Sequence, residues 1–313
     1  MALIGMCFVG CGEVAEKPEI SEPINIGVLK GPTGMGMVEL MEEEYYNITI
    51  SESPDEVTTK LISGELDMAA LPSNMGSLLY NKTGGEIQIL GINTGGVLYI
   101  VEKGESTLVN SLADLKGKTL YASGQGATPE YMLKALMAKE GLSENDIDIV
   151  WLASHTDVIS TLLTQDNGFA MLPEPHVSIA LSKDTSLAVS LDLNSMWLNA
   201  YDSELPMGIL AVRKAYADEH SMDIELFLED YAESVKFVNE NQAEASEKIA
   251  EYGIVPSAAL ALDAIPRCNI ILVIDGAQVR QTMEILHQIL FAYAPKSIGG
   301  ALPDDGYYYF QTK

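Results

Sequence analysis

The sequence predicts an α/β protein built from two similar Rossmann-like lobes joined by a two-segment hinge. Three observations predict it. The chain has 313 residues, 47% hydrophobic and 20% charged, which is long for a single core and apolar enough for two. Part of it reads strand, helix, strand, helix, the grammar of a parallel sheet covered by helices. That grammar then recurs 101 residues further on without a gap. SGELDMAALPSNMGS (63–77) meets TQDNGFAMLPEPHVS (164–178), and upstream Ser53 falls on Ser154, Glu56 on Asp157, Val57 on Val158, Leu61 on Leu162 and Ile62 on Leu163. Two copies at a domain-sized period indicate two lobes and not a solenoid.

The elements follow in order. INIGVLK (24–30) is a buried strand that runs into GPTGMGMVELMEEE, expected to open the first lobe as a helix. ITI (48–50) is the next strand. Ser53 with Glu56 three residues later has the capping-box pattern of a helix start, and Pro54 suits the first helical position. Val57, Leu61 and Ile62 then share one helical face. DMAAL (67–71) is a short apolar strand that stops at Pro72, and a helix starts directly after it. In the second copy GKTLYAS runs into GQGATPEYMLKALMAKEGL, IVW (149–151) into a helix at Ser154, and GFAML into Pro173. NTGGVLYIVEKGES and ELPMGILAVRKAY are extended segments that carry the chain to lobe two and back. Residues 222–252 and 275–292 are strongly helical. The boundaries expected are 23–103 plus 208–313 for lobe one and 104–207 for lobe two.

The beginning is different in kind. MALIGMCFVGC is apolar, too short to span a bilayer, and suits the h-region of a signal peptide, with 1–10 as its remnant. Small residues before Cys11 resemble a lipobox, in which that thiol is acylated, and 11–22 reads as a polar, Pro-containing tether. The alternative is a buried strand with an incidental Cys, and no Lys or Arg precedes the apolar run. Cys7 and Cys268 are the other cysteines, so no intramolecular disulfide and no Cys-based metal site is expected in the mature chain.

Carboxylates outnumber Lys and Arg 45 to 18, a formal charge of −27. Such a surface repels phosphate backbones, so nucleic acid is excluded as a partner. Catalytic patterns are thin. His155, His176, His220 and His287 have no metal-ligand spacing, no G-x-S-x-G elbow occurs, and GPTGMG lacks the Gly-Lys-Ser/Thr ending of a phosphate loop. No catalytic residue, metal or cofactor is expected.

In an open parallel sheet the binding crevice lies outside the carboxyl ends of the strands. Those ends are GPTGM (31–35), ALPSN (70–74), ASGQGAT (122–128), ASH (153–155) and LPEP (172–175). Each leads into a helix whose N-terminal N–H groups can hold the oxygens of a small solute. Thr33, Ser73 and Thr128 read equally as helix caps, and Gly34, Gly36 and Gly126 as turn glycines. Met35 belongs to a Met-rich run that is mostly core but can line a pocket. His155 reads as a polar surface residue or a contact. Glu174, stiffened between two prolines, is a helix-start acid or a partner for a basic heterocycle.

Together, the Cys11 motif, SLADLKGKTLYASGQGATPEYML, GELDMAALP, LPEP and PKSIGGALPDDGYYY resemble a bacterial ABC-transporter solute-binding protein. The group is the nitrate/sulfonate/taurine and thiamine-pyrimidine-precursor binders, and the resemblance spans almost the whole mature chain. It implies the type II periplasmic-binding-protein fold and a Venus-flytrap closure around a small-molecule solute. The solute is a sulfonate-, nitrate- or carboxylate-like anion or a pyrimidine-type heterocycle. The resemblance also implies delivery to a permease driven by a separate ATPase, a monomer held to the membrane by a lipid anchor only, and an extracytoplasmic location. By position it puts the contacts at Thr33, Gly34, Met35, Ser73, Asn74, Thr94, Gly95, Gln125, Gly126, Thr128, His155 and Glu174. No Arg or Lys anchor stands at a strand end. Two alternatives remain: a pyrimidine-precursor synthase on the same fold, whose members carry a Cys-rich iron-site run that this chain lacks, and a sensory lipoprotein without transport.

Overall fold

A computed structural model describes residues 20, 22–104 and 109–309. The expected signal remnant 1–10 and Cys11 lie outside them, as does nearly all of the tether. Among the described residues eleven strands form two sheets. The first contains β1 (Ile24–Leu29), β2 (Tyr46–Ser51), β3 (Met68–Pro72), β4 (Ile87–Thr94), β10 (Gly208–Arg213) and β11 (Ile270–Val273), in the order β11-β4-β10-β3-β1-β2. The second contains β5 (Leu98–Lys103), β6 (Thr119–Ser123), β7 (Asp148–Leu152), β8 (Gly168–Pro173) and β9 (Leu187–Asp192), in the order β7-β6-β8-β5-β9. Both have a parallel core, β2-β1-β3 and β7-β6-β8, flanked by one antiparallel strand, β10 or β5.

The repeat read from the sequence is an architectural one. Helix α2 (Pro54–Ser63) and helix α5 (His155–Thr164) have the same length at the 101-residue offset, and β3 and β8 end at the matching prolines, 72 and 173. Ser53 accepts from the Glu56 N–H at 3.4 Å and Ser154 from the Asp157 N–H at 3.1 Å. Ser154 Oγ also donates to Asp157 at 2.8 Å, whereas the Glu56 carboxylate accepts from Ser51 Oγ at 2.7 Å.

Three expectations change. GPTGMGMVELMEEE does not form one helix: it is α1 (Pro32–Met35) followed by a 3-10 turn, Glu39–Glu42. Gly34 through Val38 are buried in unbroken sequence, so the segment has no polar face to support an amphipathic helix and threads the core instead. Leu98–Lys103, expected to close lobe one, is the antiparallel strand β5 of the second sheet. Leu98 and Ile100 face one side of that sheet and Tyr99 and Val101 the other, all buried. The long C-terminal helix expected in lobe one, α12 (Gly276–Tyr293), is shared. Val279 and Met283 pack with lobe one, while Leu286 and Leu290 pack with the Leu136–Trp197 cluster of lobe two.

The remaining helices cover the faces: α3 (Ser73–Thr83), α4 (Thr128–Lys139), α6 (His176–Lys183), α7 (Leu193–Tyr201), α8 (Lys214–Glu219), α9 (Ser221–Glu240), α10 (Gln242–Glu251) and α11 (Ala258–Ala264). Each sheet therefore has an apolar cluster on both faces, as a sheet buried on both sides requires. In lobe one Ile24, Ile26 and Val28 meet Phe227 and Tyr231 of α9, and on the other face Leu71 and Ile89 meet Leu61 and Tyr307. The chain crosses between sheets at residues 95–97 and again at 202–207. Gly96 lies in the first crossing, where its N–H donates to Asn194 Oδ1 at 3.2 Å and its carbonyl accepts from Asn269. No described helix is long and apolar enough to cross a membrane.

Candidate functional site

The carboxyl ends of the parallel strands of both sheets face each other, because the two chain crossings leave from that side of each sheet. Contacts tie the two walls. Thr128 Oγ1, at the start of α4 in lobe two, donates to Asn74 Oδ1, at the start of α3 in lobe one, at 3.3 Å. At another point Arg267, in the 3-10 turn Ile265–Arg267 after α11, donates from Nε to Glu174 Oε1 at 2.5 Å and from Nη2 to Ser178 Oγ at 2.8 Å. Tyr99 of β5 donates its hydroxyl to the Arg267 carbonyl at 2.9 Å. Gly31 is so near the other wall that a Cβ there would stand 3.6 Å from Pro175.

Glu174 is 2% exposed. Besides Arg267 it accepts from the Ser178 N–H and from Ser178 Oγ, each at 3.1 Å. Burial raises its carboxyl above the ordinary value, against the opposing pull of Arg267 and Ser178. Its oxygens are thus committed to the protein. The basic-heterocycle expectation for Glu174 gives way to a tie between lobes, since a carboxylate holding an internal Arg has little left for a second cation.

The three neighbouring strand ends of lobe two bring together Ser123, His155 and His176. Ser123 Oγ and His155 Nδ1 share a hydrogen bond of 2.5 Å, and the two imidazoles lie 4.6 Å apart, tilted by 49°. Burial, and then the neighbouring His176, push His155 down to about 4; burial also lowers His176. Both rings are therefore neutral at pH 7, and the His176 Nδ1 is buried without a partner among the described residues. His155 is thus a half-buried member of a cluster and not a free surface residue.

On lobe one, Ser73 and Asn93 are fully buried; among the described residues Ser73 Oγ has no hydrogen-bond partner, while the Asn93 amide faces the buried Tyr231 hydroxyl. Thr94 donates its hydroxyl to Asn93 Oδ1 at 3.3 Å, and the Gly95 N–H donates to the Asn269 carbonyl at 2.9 Å. The cap readings change here: α1, α3 and α4 are preceded by Gly31, Pro72 and Ala127 with no side-chain cap. Ser73 and Thr128 are first helical residues, while Thr33 turns its hydroxyl back to the Leu29 carbonyl at 3.3 Å. Gly34 is close-packed, since a Cβ there would lie 2.6 Å from the Leu29 carbonyl. Met35 is wholly buried in the lobe-one core, which leaves it no surface for lining a pocket. Gly126 takes a left-handed turn and donates to Glu130 Oε2 at 2.7 Å. Gln125 is exposed and lines an outer groove of about 430 Å³ with Trp151. Trp197 is core, its ring 4.3 Å from that of Tyr201.

Arg267, Ser123, Ser178, His176 and Asn93 were not among the expected residues. Arg267 enters from a turn about 90 residues beyond Glu174, and no strand-end rule reaches it. His176 was legible, since it follows the LPEP stop as His155 follows Ser154. Among the described residues no three His, Cys, Asp or Glu side chains are grouped to hold a metal ion, and Cys268 is a buried free thiol.

A family model described as NMT1/THI5 like matches residues 43–245. Among solved structures the chain is similar to an ABC transporter from Parabacteroides distasonis, with 25% identity, a TM-score of 0.80, and coverage of 93% of this chain and 99% of that one. It is similar to the periplasmic aliphatic sulphonate binding protein SsuA of Escherichia coli, with 17% identity, a TM-score of 0.75, and 93% of each chain covered. The alkanesulfonate-binding protein SsuA of Xanthomonas axonopodis pv. citri, bound to MOPS, gives 18% identity, a TM-score of 0.64, and coverage of 87% and 94%. No curated protein sequence matches. The shared architecture is the two-lobed type II periplasmic-binding-protein fold.

Proposed function

The chain belongs to the NMT1/THI5-like family, and from that premise and the facing strand ends we propose that it is the solute-binding component of an ABC importer. It captures a small organic solute between its lobes and delivers it to a permease worked by a separate ATPase. The observation that carries the reading is the pair of walls tied by Asn74–Thr128 and Glu174–Arg267. Two lobes that hinge at residues 95–97 and 202–207 and meet through side chains have the makings of a closure whose free energy a bound solute supplies.

The chemistry of the walls narrows the solute. The cleft cation Arg267 is matched by Glu174, and the two imidazoles are neutral, so the polar lining carries little net charge. Neutral donors and helix N-termini favour a polar solute, uncharged or bearing one negative charge. In this reading the protein is a monomer at the extracytoplasmic face, anchored through acylated Cys11 alone, and it catalyses no reaction.

A thermal-shift screen of the purified chain tests the capture. It compares alkylsulfonates, taurine, nitrate, carboxylates and aminopyrimidines. A ligand at about 100 times its dissociation constant stabilises by roughly 2.7 kcal/mol, and small-angle scattering should show compaction with the same ligand. Turnover of any hit would replace the binding protein by an enzyme. Labelling with a fatty-acid probe, lost in Cys11→Ala, tests the anchor.

A further inference from the structure

We propose that His155 and His176 form a two-imidazole site for a late first-row divalent metal ion, and that a chelating solute bearing carboxylates supplies the rest of the ion's ligands. The pair belongs to lobe two alone; the chelate rests on the solute-capture reading and deepens it.

The geometry of the rings suits an ion. The two histidines are the first residues of α5 and α6, so the ends of β7 and β8 bring them side by side. Their ring centres are 4.6 Å apart. An ion held about 2.0–2.1 Å from one nitrogen of each ring lies roughly 3.2 Å from each ring centre, and two such rings in cis have centres roughly 4.5–5.2 Å apart. The observed separation falls in that window.

The nitrogens are disposed to match. His155 Nδ1 shares its hydrogen bond with Ser123 Oγ, a hydroxyl buried at the end of β6. With Nδ1–H donated to that oxygen, Nε2 keeps its lone pair. A ligating imidazole almost always has its other nitrogen held by an oxygen in this way, which fixes the tautomer and the ring. His176 Nδ1 is buried without a partner among the described residues. A buried polar atom left so calls for an explanation, and coordination to an ion between the rings supplies one.

Two imidazoles select ions such as Ni²⁺, Cu²⁺ and Zn²⁺ over Mg²⁺ and Ca²⁺, which prefer oxygen. Among the described residues no third His, Cys, Asp or Glu joins the pair, so the protein fills two positions and the others fall to the solute. The pair adjoins the interlobe seam. A Cβ on Gly31 of lobe one would stand 3.6 Å from Pro175, the residue before His176, and Ser178, two residues after it, accepts from Arg267. Because Arg267 is matched by Glu174, the cleft has no spare carboxylate for a bare dication. Two carboxylates on the solute make the chelate neutral, and the formal charge of −27 draws the free cation toward the protein.

The test uses the full chain, stripped of metal, in calorimetric titrations at pH 8. The probe is the neutral complex of Ni²⁺ with iminodiacetate, which leaves room for two imidazoles in cis. One equivalent should bind. His155→Gln and His176→Gln should each weaken it about 10-fold or more, since loss of even an outer-shell partner typically costs that much. Circular dichroism and the urea midpoint report whether each variant is folded, and either folded variant decides the matter. His220→Gln, remote from the pair, should bind as the native chain does, and the Mg²⁺ complex should not bind. The proposal is overturned if the nickel complex does not bind, if iminodiacetate binds as tightly without nickel, or if the folded variants keep full affinity, which is the mark of surface carboxylates. A metal-free hit in the solute screen beside any of these results leaves solute capture in place. Capture itself fails only if no solute, free or chelated, binds or compacts the protein.

Discussion

Replacing Arg267 by Met should separate the cost of a buried charge from the cost of closing the lobes. In the native protein Glu174 is almost wholly buried and holds three bonds, two from Ser178 and one from Arg267. Met keeps the length of the side chain and removes the charge. Removing one partner of a buried ion pair typically costs about 3–5 kcal/mol, because the other charge stays buried and uncompensated. Here the two Ser178 bonds remain, and Arg267 lies partly in solvent, so about 3 kcal/mol is expected at pH 8. Glu174 and Arg267 belong to different lobes, so opening the cleft can rehydrate the carboxylate and relieve part of that cost. Urea unfolding measures the loss, and small-angle scattering should show a larger radius of gyration. The pH dependence adds a sign. A carboxyl whose folded pKa is raised binds its proton more tightly folded than unfolded, so its contribution is gained as pH falls through the folded value and lost as pH rises through it. Burial already raises Glu174, with Arg267 pulling the other way; without Arg267 the rise is larger. The deficit of the variant should therefore shrink on acidification. A loss below about 0.5 kcal/mol at pH 8, with unchanged scattering, would refute the tie. So would a deficit that grows as pH falls.

Three further outcomes follow from other parts of the molecule. His287 is buried beside Ser77 and Tyr307, and burial pushes it down to about 4; the unfolded state thus takes up a proton first as pH falls below about 6.5, costing about 2 kcal/mol by pH 5. Urea midpoints at pH 7 and pH 5 should differ less in His287→Gln, and an equal difference would remove His287 from the acid response. Gly96→Ala should stiffen or distort the first crossing, because the new Cβ would stand 2.6 Å from Asn194 Cβ; weaker solute binding with a nearly native urea midpoint is expected, and unchanged affinity would argue that this crossing is not a hinge. Trp197→Ala should cost about 3–5 kcal/mol, since the whole side chain is buried in the lobe-two core, with a second unfolding transition if the lobes can melt separately.

The architecture was legible because it rests on local, repeated signals. A Ser cap with an acid three residues on, a proline at a helix start and a short apolar strand ended by Pro each act within a few residues. Having the cap and the Pro-ended strand twice at one offset made the pattern specific. What was not legible depends on segments that meet from afar. The LYIV of β5 is equally apolar whichever sheet it joins, so only pairing with β8 and β9 assigns it. The segment 31–44 contains helix formers, but with apolar residues buried on every side its surroundings decide its form.

The candidate cleft divides in the same way. Strand-end logic reached Ser73, Asn74, Thr128, His155 and Glu174, because the carboxyl edge of a parallel sheet follows from topology alone. It could assign position but not occupation. Glu174 reads from sequence as an anchor for a cation, and the protein supplies that cation itself, from a turn after α11. Ser73 reads as a helix cap, and its hydroxyl caps nothing. The two errors point in one direction: the carboxylate is already satisfied, and the hydroxyl is not. An interlobe cleft built this way keeps its charges matched within the protein, which is why the sequence alone could place Glu174 at the cleft but not tell what it holds.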